Sequence, residues 1–400
     1  MTGRNSYIRR GTLHHSRRFY VPAMTTDHDG APPFDGLGVC DGGLGVARRA
    51  DAHVVGLGGG KRRPGVERPS PVAARVRSGR LRHGRLRRAV LAAIVTASVA
   101  VPVSGAARPA AVPAPAPVAL APLKAVTPSV LGRRYAVTRD GIRAAARMAA
   151  DHGDRRRAAA LRTMAGPGRH FLSFDGRDGG RAVEVLGDLS GADRLAVLVP
   201  GSDTGLDTYE RFRAGAVALR KETPGRTAVI AWLGYPTPGT VSPTALTTGR
   251  ADDAAPQLRV FIRELNAARP GARISLLCHS YGSVVCARAA SGLHAADIIL
   301  YGSPGTGADN VSQLHTRATV WAGRGTDDWI SAVPHARLDL PFATVGFGAD
   351  PVSKGFGARI FDAGAGGHSD YLKAGTASLK NIARIVSGGR SAPGEGGRHA

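Results

Sequence analysis

The stretch ISLLCHSYGSVVCARAA, residues 274–290, places a serine between a strand and a helix. Residues 274–277 form a short apolar run that is typical of a buried strand, and residues 283–293 are rich in Ala and Val, which is typical of a helix. Ser280 lies at the joint between them. Whether this serine is catalytic depends on the rest of the chain.

The residues around Ser280 are small, as a sharp corner requires. Cys278 and Gly282 stand two positions before and two positions after it. The pattern small-x-Ser-x-small predicts a nucleophile elbow, in which a serine hydroxyl projects from a sheet edge toward a substrate carbonyl. The usual pattern is G-x-S-x-G, so Cys278 is a departure at the first glycine. The alternative is a buried serine at the end of a strand.

Apolar runs recur at regular intervals and predict a sheet. The runs are HFLSFD (170–175), RAVEVLGD (181–188), RLAVLVPG (194–201), AVIAWLGY (228–235), ISLLCHS (274–280), DIILYGSPG (297–305), ATVWAGRG (318–325) and ARIFDAG (358–364). The first two are separated by GRDGG and predict a hairpin. Several of the others are apolar throughout, as strands covered on both faces are.

Helical patterns lie between these runs. Apolar residues with i, i+3, i+4, i+7 spacing are Leu258, Phe261, Ile262 and Leu265, and again Leu379, Ile382, Ala383 and Val386. The alternation predicts an α/β fold with a mostly parallel, doubly wound sheet, helices on both faces, and ligands at the carboxyl ends of the strands. A short helical segment, 129–168, is predicted before the domain, which spans 169–388.

A serine hydroxyl needs a histidine as its base and a carboxylate that orients the histidine. In such a sheet they follow in the order Ser, acid, His, each on a loop after a strand. Asp327 and Asp328 follow the run at 318–325, and His368 follows the run at 358–364. We predict the triad Ser280, Asp328 and His368, with Asp327 as the alternative acid.

Two other histidines, His279 and His335, have no matching catalytic role, and we expect them to be structural. The oxyanion of a tetrahedral intermediate needs two N–H donors, normally one after the nucleophile and one on the loop after an earlier strand. Tyr281 supplies the first by position. For the second we expect Ser202, or Asp203 beside it; the alternative is that their loop is only a tight turn.

The net charge of +24 raises the question of nucleic-acid binding. The first 107 residues hold 18 Lys and Arg against 6 Asp and Glu, so half of the net charge lies in about a quarter of the chain. The arginines are not interleaved with aromatic residues on one face of a helix or strand. We therefore expect no nucleic-acid partner.

The N-terminal part does not have the pattern of a domain. Residues 1–75 lack apolar periodicity and predict a disordered or mis-assigned extension, and residues 76–107 have the three parts of a secretory signal peptide. This predicts secretion, with translation starting near Val72 or Val76; the alternative is a genuine basic arm. The apolar run 89–101 is too short for a stable membrane anchor, since about 20 residues are needed.

The remaining segments carry little chemistry. Residues 108–128 repeat Ala-Pro and predict an extended linker, and residues 389–400 predict a disordered tail. Cys278 and Cys286 could form a bridge, but buried free thiols are the commoner finding. No spacing of residues indicates a metal site, and we expect neither a metal nor another cofactor.

Six segments together resemble one family of α/β-hydrolases. They are LVPG, AWLGY, CHSYGSVV, YGSPGTG, VWAGRGTDDWI and FDAGAGGHSDYL, and the resemblance covers residues 137–388. The family is bacterial, often secreted and largely uncharacterised, with a GHSYGS elbow where this chain has CHSYGS. The resemblance implies the α/β-hydrolase fold and serine-hydrolase chemistry on Ser280, Asp328 and His368, with the amide of Tyr281 in the oxyanion hole.

The sequence thus predicts a secreted, monomeric serine hydrolase, esterase-like or lipase-like, that cleaves an ester, thioester or amide of a small acyl substrate. The alternatives are an acyltransferase with the same triad and a binding protein on a hydrolase scaffold. Residues 235–250 and 301–309 are expected at the active edge, the first as a small cap. Neither has the long apolar helices of a lipase lid.

Overall fold

The computed structural model describes residues 112–340 and 343–389. The predicted N-terminal extension, the predicted signal peptide, the start of the Ala-Pro linker and all but the first residue of the predicted tail lie outside the described residues. Within the described part, no helix is long and apolar enough to cross a membrane.

Eight strands of the described residues form one sheet, and the order of the strands confirms the predicted fold class. The strands are β1 (His170–Asp175), β2 (Arg181–Leu186), β3 (Arg194–Val199), β4 (Thr227–Leu233), β5 (Arg273–His279), β6 (Asp297–Tyr301), β7 (Thr319–Gly323) and β10 (Arg359–Ile360). Their order is β1-β2-β4-β3-β5-β6-β7-β10. β1 and β2 pair antiparallel, as does β2 with β4, and every other pair is parallel.

Six α-helices accompany the sheet within the described ranges. They are α1 (Pro128–Asp151), α2 (Arg155–Met164), α3 (Tyr209–Glu222), α4 (Gly249–Ala268), α5 (Gly282–Ala289) and α6 (Ala377–Val386). Side-chain oxygens cap several helix starts: Thr127 accepts a hydrogen bond at the start of α1, and Thr376 does so at the start of α6.

The helices cover both faces of the sheet because the side chains of the central strands alternate between them. In β3, Leu195 and Val197 pack with α4 and α5, whereas Ala196 and Leu198 pack with α3 and α6. All four of these side chains are buried. A strand with both faces covered has a nearly continuous apolar sequence, and RLAVLV has this pattern.

The predicted helical segment is present as α1 and α2. Ile142 of α1 and Leu161 of α2 share an apolar cluster with Phe171 of β1. The linker differs from its prediction over the described residues 112–127. Leu123 and Val126 are buried in the main core, and the Leu123 N–H donates to a Glu264 carboxylate oxygen at 3.2 Å. This stretch has no helix or strand, but it is packed against the domain.

Three other elements differ from the sequence prediction. The run ARIFDAG forms a strand at only two residues, Arg359 and Ile360. Helix α5 ends at Ala289, earlier than the predicted end at 293. A separate hairpin of β8 (Arg337–Leu340) and β9 (Ala343–Gly346) was not predicted at all.

Candidate active site

Ser280 occupies a strained corner directly after β5. Its φ angle is +52°, in the left-handed region that non-glycine residues rarely adopt. Its N–H donates to the Tyr301 carbonyl at 3.1 Å, which ties the corner to the neighbouring strand β6. Helix α5 begins two residues later, at Gly282. The backbone is therefore bent most sharply at the serine itself.

Two glycines let other backbone segments come close to this corner. A Cβ on Gly282 would lie 2.5 Å from the Val199 carbonyl oxygen. A Cβ on Gly201 would lie 2.6 Å from the Cβ of Ser280. Real Cβ atoms do not tolerate such distances, so a larger residue at either position would move the loop after β3 away from the serine.

Cys278 and Cys286 are joined by a disulfide. The expectation that they are buried free thiols is therefore wrong, although both are fully buried as expected. Helix α5 folds back along β5 after the corner, and this brings its second turn beside the strand end, within the reach of a disulfide. The cysteine that replaces the usual first glycine of the elbow thus connects the strand to the helix around the serine.

A continuous set of hydrogen bonds joins Ser280, His368 and Asp328. The His368 Nδ1–H donates to the two Asp328 carboxylate oxygens at 2.9 and 3.1 Å. The other ring nitrogen, Nε2, then accepts from the Ser280 hydroxyl at 2.9 Å. This tautomer leaves an unprotonated nitrogen facing the serine proton, as a general base requires.

Asp328 is 1% exposed and its carboxylate has several donors. Beyond His368, the Ile330 N–H donates to Oδ1 at 2.9 Å and the Tyr371 hydroxyl donates to Oδ2 at 2.5 Å. Burial opposes the charged form, but the hydrogen bonds from His368, Tyr371 and Ile330 outweigh it and hold the pKa of Asp328 below its usual range. The acid is thus an ionised acceptor at neutral pH.

The alternative acid, Asp327, does not reach His368. Its side chain is exposed and accepts a hydrogen bond from the Thr326 hydroxyl at 3.2 Å. Neighbouring residues in extended backbone project in opposite directions, so only one of the two carboxylates can face the histidine. The structure brings Asp328 into that position.

The three expected oxyanion donors are not equivalent. The Asp203 N–H donates to the Pro238 carbonyl at 3.0 Å, so the geometry does not support Asp203 as a donor to substrate. Within the part of the chain that the structure describes, neither the Ser202 nor the Tyr281 N–H has a hydrogen-bond acceptor. Ser202 follows Gly201, the residue that approaches the serine, so these two amides are the ones available.

Comparison with known proteins agrees with this geometry. Residues 175–338 match a protein family described as "Alpha/beta hydrolase". The uncharacterised protein Mb0988c of Mycobacterium bovis is 32% identical over 186 residues, which are 41% of this chain and 70% of that protein. The chain belongs to the α/β hydrolase family.

A longer protein and a solved structure also match parts of this α/β hydrolase. The uncharacterised protein Rv2079 of Mycobacterium tuberculosis is 30% identical over 259 residues, which are 54% of this chain but only 38% of that protein. The crystal structure of XC6422 from Xanthomonas campestris, described as an a/b serine hydrolase without lid, has a TM-score of 0.36 and 19% identity. The similarity covers 56% of this chain and 94% of the XC6422 chain.

A cavity of about 500 Å³ opens beside Ser280 in this hydrolase. Its volume suits a small molecule. The apolar part of its lining includes Leu198, Phe212, Val241, Tyr301, Trp329 and Leu372. A second cavity of about 520 Å³ lies between the packed linker and α4 and includes no residue of the hydrogen-bonded set. The reactive groups favour the first cavity as the substrate site.

Two further residues of the site were missed from the sequence. Tyr371 accepts a hydrogen bond from the Gly325 N–H at 3.1 Å while it donates to Asp328, so it links the loop after β7 to the acid. Gly302 has a φ of +57°, and a Cβ there would lie 3.1 Å from Asp328 Oδ2 and 3.2 Å from His368 Cε1. The pattern HSDYL did contain the tyrosine, but nothing in the spacing indicated its partner.

His279 and His335 were both expected to be structural, and they differ. His335 lies beside Asp350, outside the site, with a nitrogen–oxygen distance of 3.6 Å. The His279 ring packs against the His368 ring with centroids 4.8 Å apart and an angle of 42° between the ring planes. Burial, and the neighbouring His368, lower the pKa of His279 from 6.5 to about 4. A neutral His279 does not oppose the positive charge that His368 acquires when it takes a proton.

Proposed function

We propose that this hydrolase cleaves an ester, thioester or amide through an acyl-enzyme on Ser280. The observation that supports it is the continuous hydrogen-bonded set of Ser280, His368 and Asp328 at the carboxyl ends of the parallel strands. The strained φ of Ser280 is an independent support, because such strain is a property of nucleophile elbows. A protein kept only for binding has no need of either feature.

In the first half of the reaction, Ser280 Oγ attacks the substrate carbonyl carbon and His368 Nε2 takes the hydroxyl proton. The carbonyl oxygen becomes an oxyanion that accepts hydrogen bonds from the Tyr281 and Ser202 N–H groups. The tetrahedral intermediate collapses, the bond to the leaving group breaks, and the leaving alcohol, thiol or amine takes the proton from His368. Asp328 stabilises the imidazolium throughout.

The second half repeats these steps with water. His368 takes a proton from a water molecule as the oxygen attacks the acyl carbon, and the same two amides hold the oxyanion. Collapse breaks the bond to Ser280 Oγ, which regains the proton from His368. The carboxylic acid leaves, and the enzyme returns to its starting state.

The central test is covalent labelling with a fluorophosphonate probe. We expect labelling of the wild type at Ser280 and none of Ser280→Ala. Ser369→Ala is the matched control, because Ser369 is exposed and lines the same cavity. It should label like the wild type. Labelling of Ser280→Ala at the wild-type rate would refute the proposal. If only the variants with an intact Ser280 are labelled, p-nitrophenyl esters of graded acyl length will define the acyl preference of the enzyme.

Secretion and a monomeric state remain proposals. The disulfide of Cys278 and Cys286 supports secretion, since such bonds persist mainly in oxidising compartments. The leader pattern at 76–107 supports it from the sequence. N-terminal sequencing of protein from the culture medium should begin within a few residues of Arg108. An intact leader on abundant cytoplasmic protein would contradict it, and light scattering tests the monomer.

A further inference from the structure

One side of helix α3 forms a wall of the catalytic cavity. The cavity lining includes Thr208, Arg211, Phe212 and Gly215. Their spacing is i, i+3, i+4 and i+7, the spacing of one helix face. Arg211 therefore belongs to the face that looks toward the cavity containing Ser280. It is the one Arg or Lys in the lining among the described residues.

The acidic neighbours of Arg211 are engaged elsewhere. Asp207 forms an ion pair with Arg157 at 2.6 Å, and Glu210 forms one with Arg169 at 2.9 Å. Over the described ranges 112–340 and 343–389, Arg211 has neither an ion pair nor a hydrogen-bond acceptor for its side chain. An exposed arginine is often only a solvated surface group, but this one lies on the wall of the reaction site.

Asp203, an acidic residue in the same lining, does not pair with Arg211 either. Asp203 Oδ1 accepts a hydrogen bond from the Thr240 N–H at 3.1 Å, on the loop after β4. Asp203 has a φ of +57°, so its backbone is held in a special conformation while its carboxylate secures that loop. The cavity therefore offers a cation whose charge is not neutralised by a salt bridge within the described part of the chain.

The rest of the wall is suited to an apolar group. Gly215 lies against Leu372, since a Cβ on Gly215 would lie 3.1 Å from Leu372 Cδ1, and Phe212 lines the same cavity. Trp329 is 51% exposed at the mouth, with its ring 4.7 Å from that of His368. The cavity thus combines a hydrophobic surface next to the reactive serine with one guanidinium.

We propose that the substrate is an ester, thioester or amide that carries an anionic group, a carboxylate or a phosphate, and that Arg211 binds this anion while the apolar wall holds the carbon skeleton. The proposal rests on the proposed function, because it assigns the specificity of that same site. A guanidinium presents paired N–H donors that match both anions. Arg211 is then a specificity-determining residue rather than a catalytic one.

Matched ester pairs test the anion and its position. Mono-p-nitrophenyl glutarate against p-nitrophenyl valerate places a carboxylate on the acyl side, and para-acetoxybenzoate against phenyl acetate places it on the leaving-group side. A para-acetoxyphenyl phosphate arm separates phosphate from carboxylate. The quantity measured is the ratio of kcat/KM for the charged ester to that for its neutral partner. The variants are Arg211→Gln and Arg211→Glu.

Lys221→Gln is the matched control, because Lys221 is an exposed cation in the last turn of the same helix and lies outside the cavity lining. For at least one ester pair, we expect the charged-to-neutral ratio of kcat/KM to be roughly 10- to 100-fold higher in the wild type than in Arg211→Gln. This is the size of the contribution from one charge-assisted hydrogen bond. Arg211→Glu should lower it further. Lys221→Gln should keep the wild-type ratio.

An unchanged ratio in Arg211→Gln would overturn the proposal, as would an equal fall in Lys221→Gln, which would indicate only the overall field of the helix. Hydrolysis of the neutral esters by Ser280→Ala would instead refute the proposed function, so the two failures are distinguishable. If no ester is cleaved, protection against fluorophosphonate labelling is measured. Glutarate or inorganic phosphate should slow labelling of the wild type and not of Arg211→Gln; equal protection would overturn the proposal.

Discussion

The Nε2–H of His279 donates to the backbone carbonyl of His368 at 2.7 Å, so the residue before Ser280 holds the loop that carries His368. The same ring lies against Tyr301 and Tyr371, with centroids 5.1 and 5.9 Å away. The bond requires an N–H on Nε2, which the neutral ring supplies. In the proposed mechanism, His279 is therefore a positioning residue for His368.

We predict that His279 makes the fold sensitive to mild acid. Its pKa is lowered to about 4 in the folded state, from 6.5 for a free imidazole. Between these values the unfolded chain binds a proton that the folded chain does not, so stability falls as pH falls from 6.5 toward 4. The loss is on the order of 3 kcal/mol. Urea unfolding between pH 6.5 and pH 4 should show this loss of unfolding free energy in the wild type and not in His279→Gln. His335→Gln should behave like the wild type, and parallel curves for all three proteins would contradict the assignment.

The two adjacent aspartates should differ greatly in their effect on turnover. Asp328→Asn removes the carboxylate that orients His368 and favours the wrong tautomer, so we expect kcat to fall by about 10⁴. Asp327→Asn changes an exposed side chain that does not contact the histidine and should remain within a few-fold of the wild type. Both are assayed on one activated ester, with circular dichroism as the check on folding. The reverse ranking would transfer the role to Asp327.

Strain at Ser280 predicts an unusual order of stabilities. Because Ser280 has a φ of +52°, Ser280→Gly should be more stable than Ser280→Ala by about 1 kcal/mol. The matched pair is at Ser283 in helix α5, where glycine should be less stable than alanine. Chemical denaturation of the Gly and Ala variants at both positions measures both differences in stability. Equal stability of the Ser280 pair would mean that the corner is unstrained.

Removal of the disulfide should lower stability without moving the reactive groups apart. Cys278 and Cys286 are eight positions apart in the sequence. For a loop this short, the lost entropy of the unfolded chain corresponds to a stabilisation of about 2.5 kcal/mol. The Cys278→Ala, Cys286→Ala double variant should lose roughly that much free energy of unfolding. Thiol titration of unfolded, unreduced wild type should find Cys278 and Cys286 blocked; free thiols at both would contradict the bond.

The main sheet was predictable from the sequence because its central strands are covered on both faces. Runs such as RLAVLV and DIILY have no polar alternation, and this pattern has few alternatives in an α/β chain. β10 was predicted too long because it pairs with only one neighbour, β7, at the sheet edge. Burial, which makes strands recognisable, is weaker there: Arg359 and Ile360 are both exposed.

The candidate site was predictable only as far as chain order and strand ends define it. Ser280, Asp328 and His368 could be proposed because each follows a strand whose carboxyl end meets the same edge. Tyr371 could not, because its hydroxyl acts through a contact with Asp328 that is 43 residues distant in the chain. Arg211 could not either, because only the assembled helix shows which of its residues face the cavity.

The disulfide beside Ser280 has a consequence for the uniformity of a protein preparation. Both sulfur-bearing residues are 0% exposed, so neither reductant nor oxidant can reach them unless the domain opens. Chains that fold before oxidation would then keep both thiols, and chains that fold after it would keep the disulfide, until the domain opens. The ratio between them would record where and how fast each batch of protein folded.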